Sequence, residues 1–317
     1  MNDRTRPLST TMSIAAVERD TGLSKDTLRV WERRYGFPLP GRDTADERVY
    51  AVDQVDKLRV IKRLLDVGHR PGRIVPLPLE QLQALADQAV GRPGAAARAA
   101  VDSVELAADI QLLRNHDTPR LRAELARRVS RLGVVRFVSE VVAPLNTAVG
   151  DAWLHGKLEI FEEHLYTETI QTVLRAAIAS VPEAVAGDGP RVLLATLPGE
   201  PHGLGLLMAQ AVLAQEGCRC VSLGVQAPLS DIVGAAAALR SDIVALSFTG
   251  CTNPKQIADG LTELRGKLPA TVALWAGGSA PVLRRRALQG VRSMATLAEI
   301  PAALQALRDA AARAPST

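Results

Sequence analysis

From Arg191 onward the chain takes up a rhythm that few folds can accept. Short runs rich in β-branched residues and leucine, Val192–Leu197, Cys220–Leu223, Ile243–Ser247 and Val272–Ala276, alternate with helical stretches at about 203–216, 228–239 and 254–267. This βαβ alternation predicts a parallel, doubly wound α/β sheet.

In an open sheet of that kind a ligand lies outside the carboxyl ends of the strands, so the residues just past each strand are the ones to read. After the first strand comes Leu197-Pro198-Gly199-Glu200-Pro201-His202-Gly203-Leu204-Gly205, after the third Ser247-Phe248-Thr249-Gly250, and after the fourth Gly277-Gly278. A loop histidine presents a ring nitrogen, and a carboxylate two residues earlier can hold the proton of the other nitrogen, fixing the tautomer for metal ligation. His202 with Glu200 is such a pair. The glycines allow close approach of a large flat ligand or a buried nucleotide tail, to which the Ser247 hydroxyl can hydrogen-bond.

Upstream, helical patterns at about 101–115, 118–132, 134–153 and 159–180 predict a four-helix bundle. In the last, Ile160, Glu163, Thr167, Ile170, Leu174 and Ile178 recur at spacings of three and four, which places Glu163 on an apolar stripe. A buried carboxylate costs several kcal/mol unless partnered, so either a polar ligand or a helix-to-helix hydrogen bond is expected there.

Residues 12–75 read as short helices broken by Gly and Pro. Ser13 to Arg19 is followed by the turn Asp20-Thr21-Gly22-Leu23, and Ser24 caps a second helix, Lys25 to Tyr35, ended by Gly36 and Pro38. This is helix-turn-helix spacing. Lys25, Arg29, Arg33 and Arg34 project from the second helix while Leu28 and Trp31 point inward, an arrangement suited to a major groove. The polar, turn-rich stretch from Gly41-Arg42 to Arg48-Val49-Tyr50 suits a hairpin wing whose Arg42 and Arg48 reach phosphates. A third helix, Val52 to Val67, stops at Gly68.

The charge agrees with this reading. Residues 1–75 carry 15 Lys/Arg against 11 Asp/Glu, whereas the rest carry 23 of each, so the whole net charge of +4 sits on the N-terminal segment. No apolar run is long enough to span a bilayer, and Met1-Asn2-Asp3-Arg4 has no signal-peptide character, so a cytoplasmic protein with no membrane partner is expected. With 317 residues, 47% of them hydrophobic, the chain can bury two or three cores, and 3% aromatics favours helices. Cys218, Cys220 and Cys251 lack metal-ligand spacing and predict neither disulfide nor zinc.

Ser13-Ile14-Ala15, Thr27-Leu28-Arg29-Val30-Trp31-Glu32, the wing end Arg48-Val49-Tyr50 and the helix ending Leu65-Asp66-Val67-Gly68 resemble the DNA-binding domain of MerR-family regulators. The resemblance implies DNA contacts by Lys25, Thr27, Arg29, Arg33, Arg34, Arg42, Arg48 and Tyr50.

In the C-terminal part, His202-x-x-Gly205 is followed by 41 residues to Ser247, and 27 residues separate Thr249 from Gly277-Gly278. This is similar to the cobalamin-binding signature Asp-x-His-x-x-Gly, 41 residues, Ser-x-Leu, 26–28 residues, Gly-Gly. It implies that His202 replaces the cofactor's own dimethylbenzimidazole as lower cobalt ligand, with that tail buried near Ser247 and the glycine pair. Two positions depart from it: Glu200 stands where Asp is usual, and Thr249 where Leu is usual.

Trp153, nine residues, then Glu163-His164 matches the lid of CarH-type light-responsive MerR regulators. The resemblance implies that Trp153 packs over the upper face beside an adenosyl group, with Glu163 and His164 recognising it. That family's illuminated end state uses a histidine directly after the tryptophan as a second cobalt ligand. Here Leu154 holds that place and His155 follows, turned about 100° away by one helical residue, so ligation by His155 after photolysis requires local unwinding.

The expected organisation is multi-domain: an all-α winged helix-turn-helix (1–75), a linker with one short helix (76–100), a four-helix bundle lid (101–185) and a Rossmann-like cobalamin domain (186–317). The expected function is non-enzymatic. It is an adenosylcobalamin-dependent, light-sensitive repressor that binds double-stranded promoter DNA as a homo-oligomer, dimer or tetramer, and leaves it when light breaks the Co–C bond. The alternatives are a light-independent cobalamin or other ligand sensor, and a corrinoid protein serving a methyltransferase or mutase, which would have no use for the DNA reader.

Overall fold

The computed structural model describes residues 11–43, 46–66, 69–89, 99–154, 156–181, 189–249, 252–285 and 287–313. The chain forms two compact units, one of residues 1–95 with 150–160, the other of residues 96–149 with 161–317.

The first unit opens with β1 (Thr11–Ser13) and α1 (Ile14–Thr21), then α2 (Lys25–Tyr35). Ser13 and Ser24 cap the two helices by accepting hydrogen bonds from the backbone N–H groups of Ala16 and Thr27, satisfying donors that a helix start leaves open. Gly22 and Gly36 end them at φ 69° and 68°, the left-handed geometry that glycine adopts without strain. The wing follows as β2 (Gly41–Arg42) and β3 (Arg48–Ala51), then α3 (Val52–Asp66), α4 (Pro71–Ile74) and α5 (Leu79–Ala89). The small antiparallel sheet has the order β1-β3-β2.

Val17, Leu28, Trp31, Val55, Leu58, Ile61 and Leu64 form one core with Tyr50, Ile74 and Leu82. Two expectations change here. The stretch from 76 on is not only linker, because Leu82 of α5 is fully buried in this core. Tyr50 is fully buried as well, so it is a core residue and cannot reach a phosphate.

The second unit begins with α6 (Ala99–Arg114) and α7 (Thr118–Leu132). A third rod runs from α8 (Val134–Arg136) through a π-helical turn, Phe137–Val142, into α9 (Ala143–Leu154), whose residues from Gly150 on belong to the first unit, and α10 (Ile160–Ala179) completes the four-helix arrangement. Arg128 on α7 and Asp109 on α6, both buried, form a two-pronged ion pair at 2.7 and 3.0 Å.

The sheet then alternates with helices as β4 (Arg191–Ala195), α11 (Leu204–Gln215), β5 (Arg219–Gly224), α12 (Leu229–Ala238), β6 (Ile243–Phe248), α13 (Pro254–Lys267), β7 (Ala273–Gly278), α14 (Val282–Arg285), β8 (Val291–Met294) and α15 (Ile300–Arg313). All five strands are parallel, in the order β5-β4-β6-β7-β8. β4 and β6 are interior strands, buried along almost their whole length, which explains the apolar runs Val192–Ala195 and Ile243–Leu246. Successive connections leave β4 in opposite directions, so the topological switch point lies between β4 and β6. α11 packs against α8 and the π turn, bringing the bundle against the helix that starts beside that switch point.

Among the described residues the sheet has one strand more than the periodicity predicts, β8, and two further helices, α14 and α15. Gly277-Gly278 forms the last two residues of β7 rather than following it. Among the described residues no helix is long and apolar enough to cross a membrane.

Candidate functional site

The loop after β4 is short and constrained. The backbone N–H of Glu200 donates to the carbonyl of Leu197, Gly199 turns the chain at φ 88°, and the Thr196 hydroxyl donates to the Glu200 carbonyl at 2.6 Å. These bonds fix the backbone from which Glu200 and His202 extend at the switch point.

The Glu200 carboxylate has no solvent exposure, while the His202 side chain is half-exposed. Glu200 Oε1 lies 2.8 Å from His202 Nδ1, and the His202 backbone N–H donates to the same oxygen at 3.2 Å. Burial by itself would raise the Glu200 pKa, but the hydrogen bonds from His202 and Thr249 together outweigh it and hold the group at about 2. The carboxylate is therefore ionised at neutral pH and accepts the Nδ1 proton, so the ring lone pair lies on Nε2. That tautomer is the one that ligation through Nε2 requires.

Just past the end of the neighbouring strand β6, Thr249 donates its backbone N–H to Glu200 Oε2 at 2.7 Å, and its hydroxyl lies 3.0 and 2.9 Å from the two carboxylate oxygens. Thr252 adds a hydroxyl at 3.3 Å from Oε2 and a second bond to the Gly199 carbonyl. The sequence did not mark Thr252, and nothing local could have done so, because its partners lie more than 50 residues away.

A β-carbon at Gly205 would collide with the Ser247 hydroxyl, and one at Gly278, at φ 112°, with the Phe248 carbonyl. Gly205 and Ser247 are thus in close apposition, as are Gly278 and the end of β6. Among the described residues no group of three His, Cys, Asp or Glu could hold a metal by itself. A cobalt already bound in a macrocycle needs only one axial side chain, and an oriented imidazole beside glycine-lined backbone fits that need. Cys218 and Cys220 are free thiols, pushed by burial up to about 11 and about 12.

On α10 the helical phase differs from the expectation. Glu162, not Glu163, is the buried carboxylate, and it meets His116 at 3.2 Å. Glu163 is about one-third exposed, bonded to Thr167 at 2.7 Å and to the exposed His164 at 2.9 Å. The buried face is Glu162, Tyr166, Thr169, Ile170, Val173 and Leu174. Trp153 belongs to the first unit, where the Arg63 guanidinium of α3 lies over its ring at 5.3 Å. His155 lies outside the described residues.

On α2 the exposed stripe is as expected. Arg29, Arg33 and Arg34 are exposed, and Lys25 and Thr27 are half-exposed at its start. Arg29 pairs with its own helix neighbour Asp26 at 3.2 Å, an exposed i,i+3 contact worth at most about 1 kcal/mol and readily exchanged for a phosphate. Arg42 is exposed at the wing. Arg48 behaves differently: it is mostly buried and ties β3 to α2 through Glu32 at 3.1 Å, so it positions the wing.

Residues 12–77 match the family of MerR HTH regulatory proteins, and residues 110–178 and 190–307 each match a B12 binding domain. The chain is 32% identical over 261 residues to the HTH-type transcriptional repressor CarH of Myxococcus xanthus, covering 82% of this chain and 86% of that protein. It is 30% identical over 266 residues to the repressor CarA of the same organism, covering 83% and 86%. Over 65% of this chain and 96% of the other, the fold is similar to that of the monomethylamine corrinoid protein of Methanosarcina barkeri, with TM-score 0.50 at 18% identity.

Proposed function

Because the chain belongs to the CarH-type family of MerR regulators with B12-binding domains, we propose that it is a cobalamin-dependent transcriptional repressor whose ligand is adenosylcobalamin and whose signal is light. The observation that carries this reading is the Glu200–His202 pair at the switch point. Its relatives are repressors rather than enzymes, and a helix-turn-helix has no role in methyl transfer.

His202 would hold the cobalt through Nε2, with Glu200 keeping the proton on Nδ1. Gly205, Ser247, Thr249, Gly277 and Gly278 would line the place where a nucleotide tail enters. Trp153, Glu163 and His164 would act on the adenosyl side. The bound cofactor would supply a cobalt–carbon bond that light can break. At the other end, Lys25, Thr27, Arg29, Arg33 and Arg34 of α2, with Arg42 of the wing, would bind promoter DNA through phosphates and base edges. Two copies would present two such helices to a repeated half-site, as a homo-oligomer does.

The test is the absorption spectrum of the protein with adenosylcobalamin, recorded in the dark and after illumination, paired with gel shifts on its own promoter. A light-dependent change in the spectrum that also releases DNA supports the reading. Leu154, directly after Trp153, favours one second reading, a light-independent cobalamin sensor; that reading predicts a band that follows the cofactor and ignores illumination.

A further inference from the structure

Two positions depart from the cobalamin signature, and they are 49 residues apart in sequence: Glu200 in place of Asp, and Thr249 in place of Leu. In the folded protein they touch. The Thr249 hydroxyl lies within 3.0 Å of both Glu200 oxygens, and its backbone N–H donates to Oε2 at 2.7 Å. The same hydroxyl is 3.2 Å from His202 Nδ1.

The geometry explains why the two changes belong together. Glu is one methylene longer than Asp, so its carboxylate reaches further from the β4 loop toward the end of β6. There it is fully buried, and a buried carboxylate needs donors on both oxygens. A leucine at 249 would set a methyl group against Oε1 and Oε2; threonine sets a donor there. Conversely, an aspartate at 200 would draw the carboxylate back and leave the Thr249 hydroxyl without this acceptor.

We propose that residues 200 and 249 are a matched pair, with Thr249 a positioning residue that acts on His202 through Glu200. The hydroxyl holds the longer carboxylate at the distance and angle from which it can keep the proton on Nδ1. Glu/Thr and Asp/Leu are then two self-consistent settings of one device, and the mixed combinations are faulty. The inference rests on the reading of His202 as the cobalt ligand, yet its first test needs no cofactor.

The experiment uses the full chain in four forms, wild type, Glu200→Asp, Thr249→Leu and the double variant, with Thr249→Val and Thr249→Ser as shape and hydroxyl controls. Nitrogen-15 NMR of the imidazoles in the cofactor-free protein, at a pH where they are neutral, reads the His202 tautomer. Wild type and Thr249→Ser are expected to carry the proton on Nδ1. Thr249→Leu, Thr249→Val and Glu200→Asp are expected to populate the other tautomer, and the double variant to return to the first.

Titration with adenosylcobalamin in the dark then gives affinity. Each faulty single variant is expected to lose about tenfold or more, the usual cost of removing a partner of a metal ligand, and the double variant to recover most of it. Val is nearly isosteric with Thr, so a change there with unaltered circular dichroism is not a folding defect. A Thr249→Val protein with the wild-type tautomer, or a double variant as impaired as the two singles combined, overturns the pairing. Tautomers that follow the prediction in a protein that takes up no cobalamin leave the pairing standing and refute the proposed function instead.

Discussion

The Arg63 guanidinium sits 5.3 Å from the centre of the Trp153 indole, joining the helix after the wing to the segment that carries the resemblance to the cofactor lid. Both partners hold a buried polar atom with no hydrogen bond, Arg63 Nε and Trp153 Nε1, so the ring face is a principal compensation for the buried cation. Burial pushes the Arg63 pKa down, against the opposing pull of the Glu159 charge. A desolvated cation–π contact is worth about 2 kcal/mol. Trp153→Ala is therefore expected to speed hydrogen exchange across α3, and to do so much less in an Arg63→Met background, where no buried charge is stranded. Additive effects in that double-mutant cycle would show that the stack contributes nothing.

The DNA-binding surface separates exposed from buried residues sharply. Arg29→Ala should weaken promoter binding and lower the salt dependence of binding by about one unit of log–log slope, with cofactor uptake unchanged. Tyr50→Phe should leave binding intact, and at most raise stability, because it removes a buried hydroxyl that has no partner. Fluorescence anisotropy across a salt series distinguishes the two, and a binding loss in Tyr50→Phe would restore that residue to the interface.

In the bundle, Asp109 is pulled two ways: burial raises its pKa, and the Arg128 hydrogen bonds lower it, with the balance left above 3.8. Arg128→Met removes the compensation and leaves the carboxylate alone in the interior, at a cost of about 3–5 kcal/mol. Adding Asp109→Leu should recover much of that, since the double variant strands no charge. Calorimetric melting of the three proteins checks this; a double variant less stable than Arg128→Met would contradict it.

Asp242 sits at the start of β6, where its carboxylate accepts from the Arg191 backbone at 2.8 Å and from the Arg191 side chain. Burial raises its pKa, but those bonds outweigh it and hold the group below 3.8. A depressed folded-state pKa contributes stability that is present above the unfolded value and lost as pH falls through the folded one. Asp242→Asn should therefore destabilise the sheet at neutral pH and make little difference once the medium is well below 3.8. Urea midpoints across that range test it, and a constant gap between the two proteins would refute it.

The local signals were legible because their physics is local. Ser13, Ser24, Gly22 and Gly36 mark helix ends through bonds within four residues, and β4 and β6 announce their burial by the apolar runs Val192–Ala195 and Ile243–Leu246. What escaped depends on partners far along the chain. β1 is a strand only because Thr11, Met12 and Ser13 pair with Ala51, Tyr50 and Val49. The buried carboxylate of α10 is Glu162 rather than Glu163, a difference of one residue that the stripe does not resolve because Thr167 and Ile178 at its edge are compatible with either phase. The site signature names His202, Ser247 and the glycines, but it gives Glu200 and Thr249 only as departures, and the contact between those two exists only once β4 and β6 lie side by side.

The most direct test of the account is electron paramagnetic resonance of the reduced, cobalt(II) form of the bound cofactor in protein labelled with nitrogen-15 histidine. The account predicts a superhyperfine pattern from one nitrogen-15 nucleus in the wild type, replaced by a nitrogen-14 pattern or none in His202→Ala. A nitrogen-14 pattern in the labelled wild type, unchanged in His202→Ala, would mean that the cofactor keeps its own base and that His202 is not its ligand.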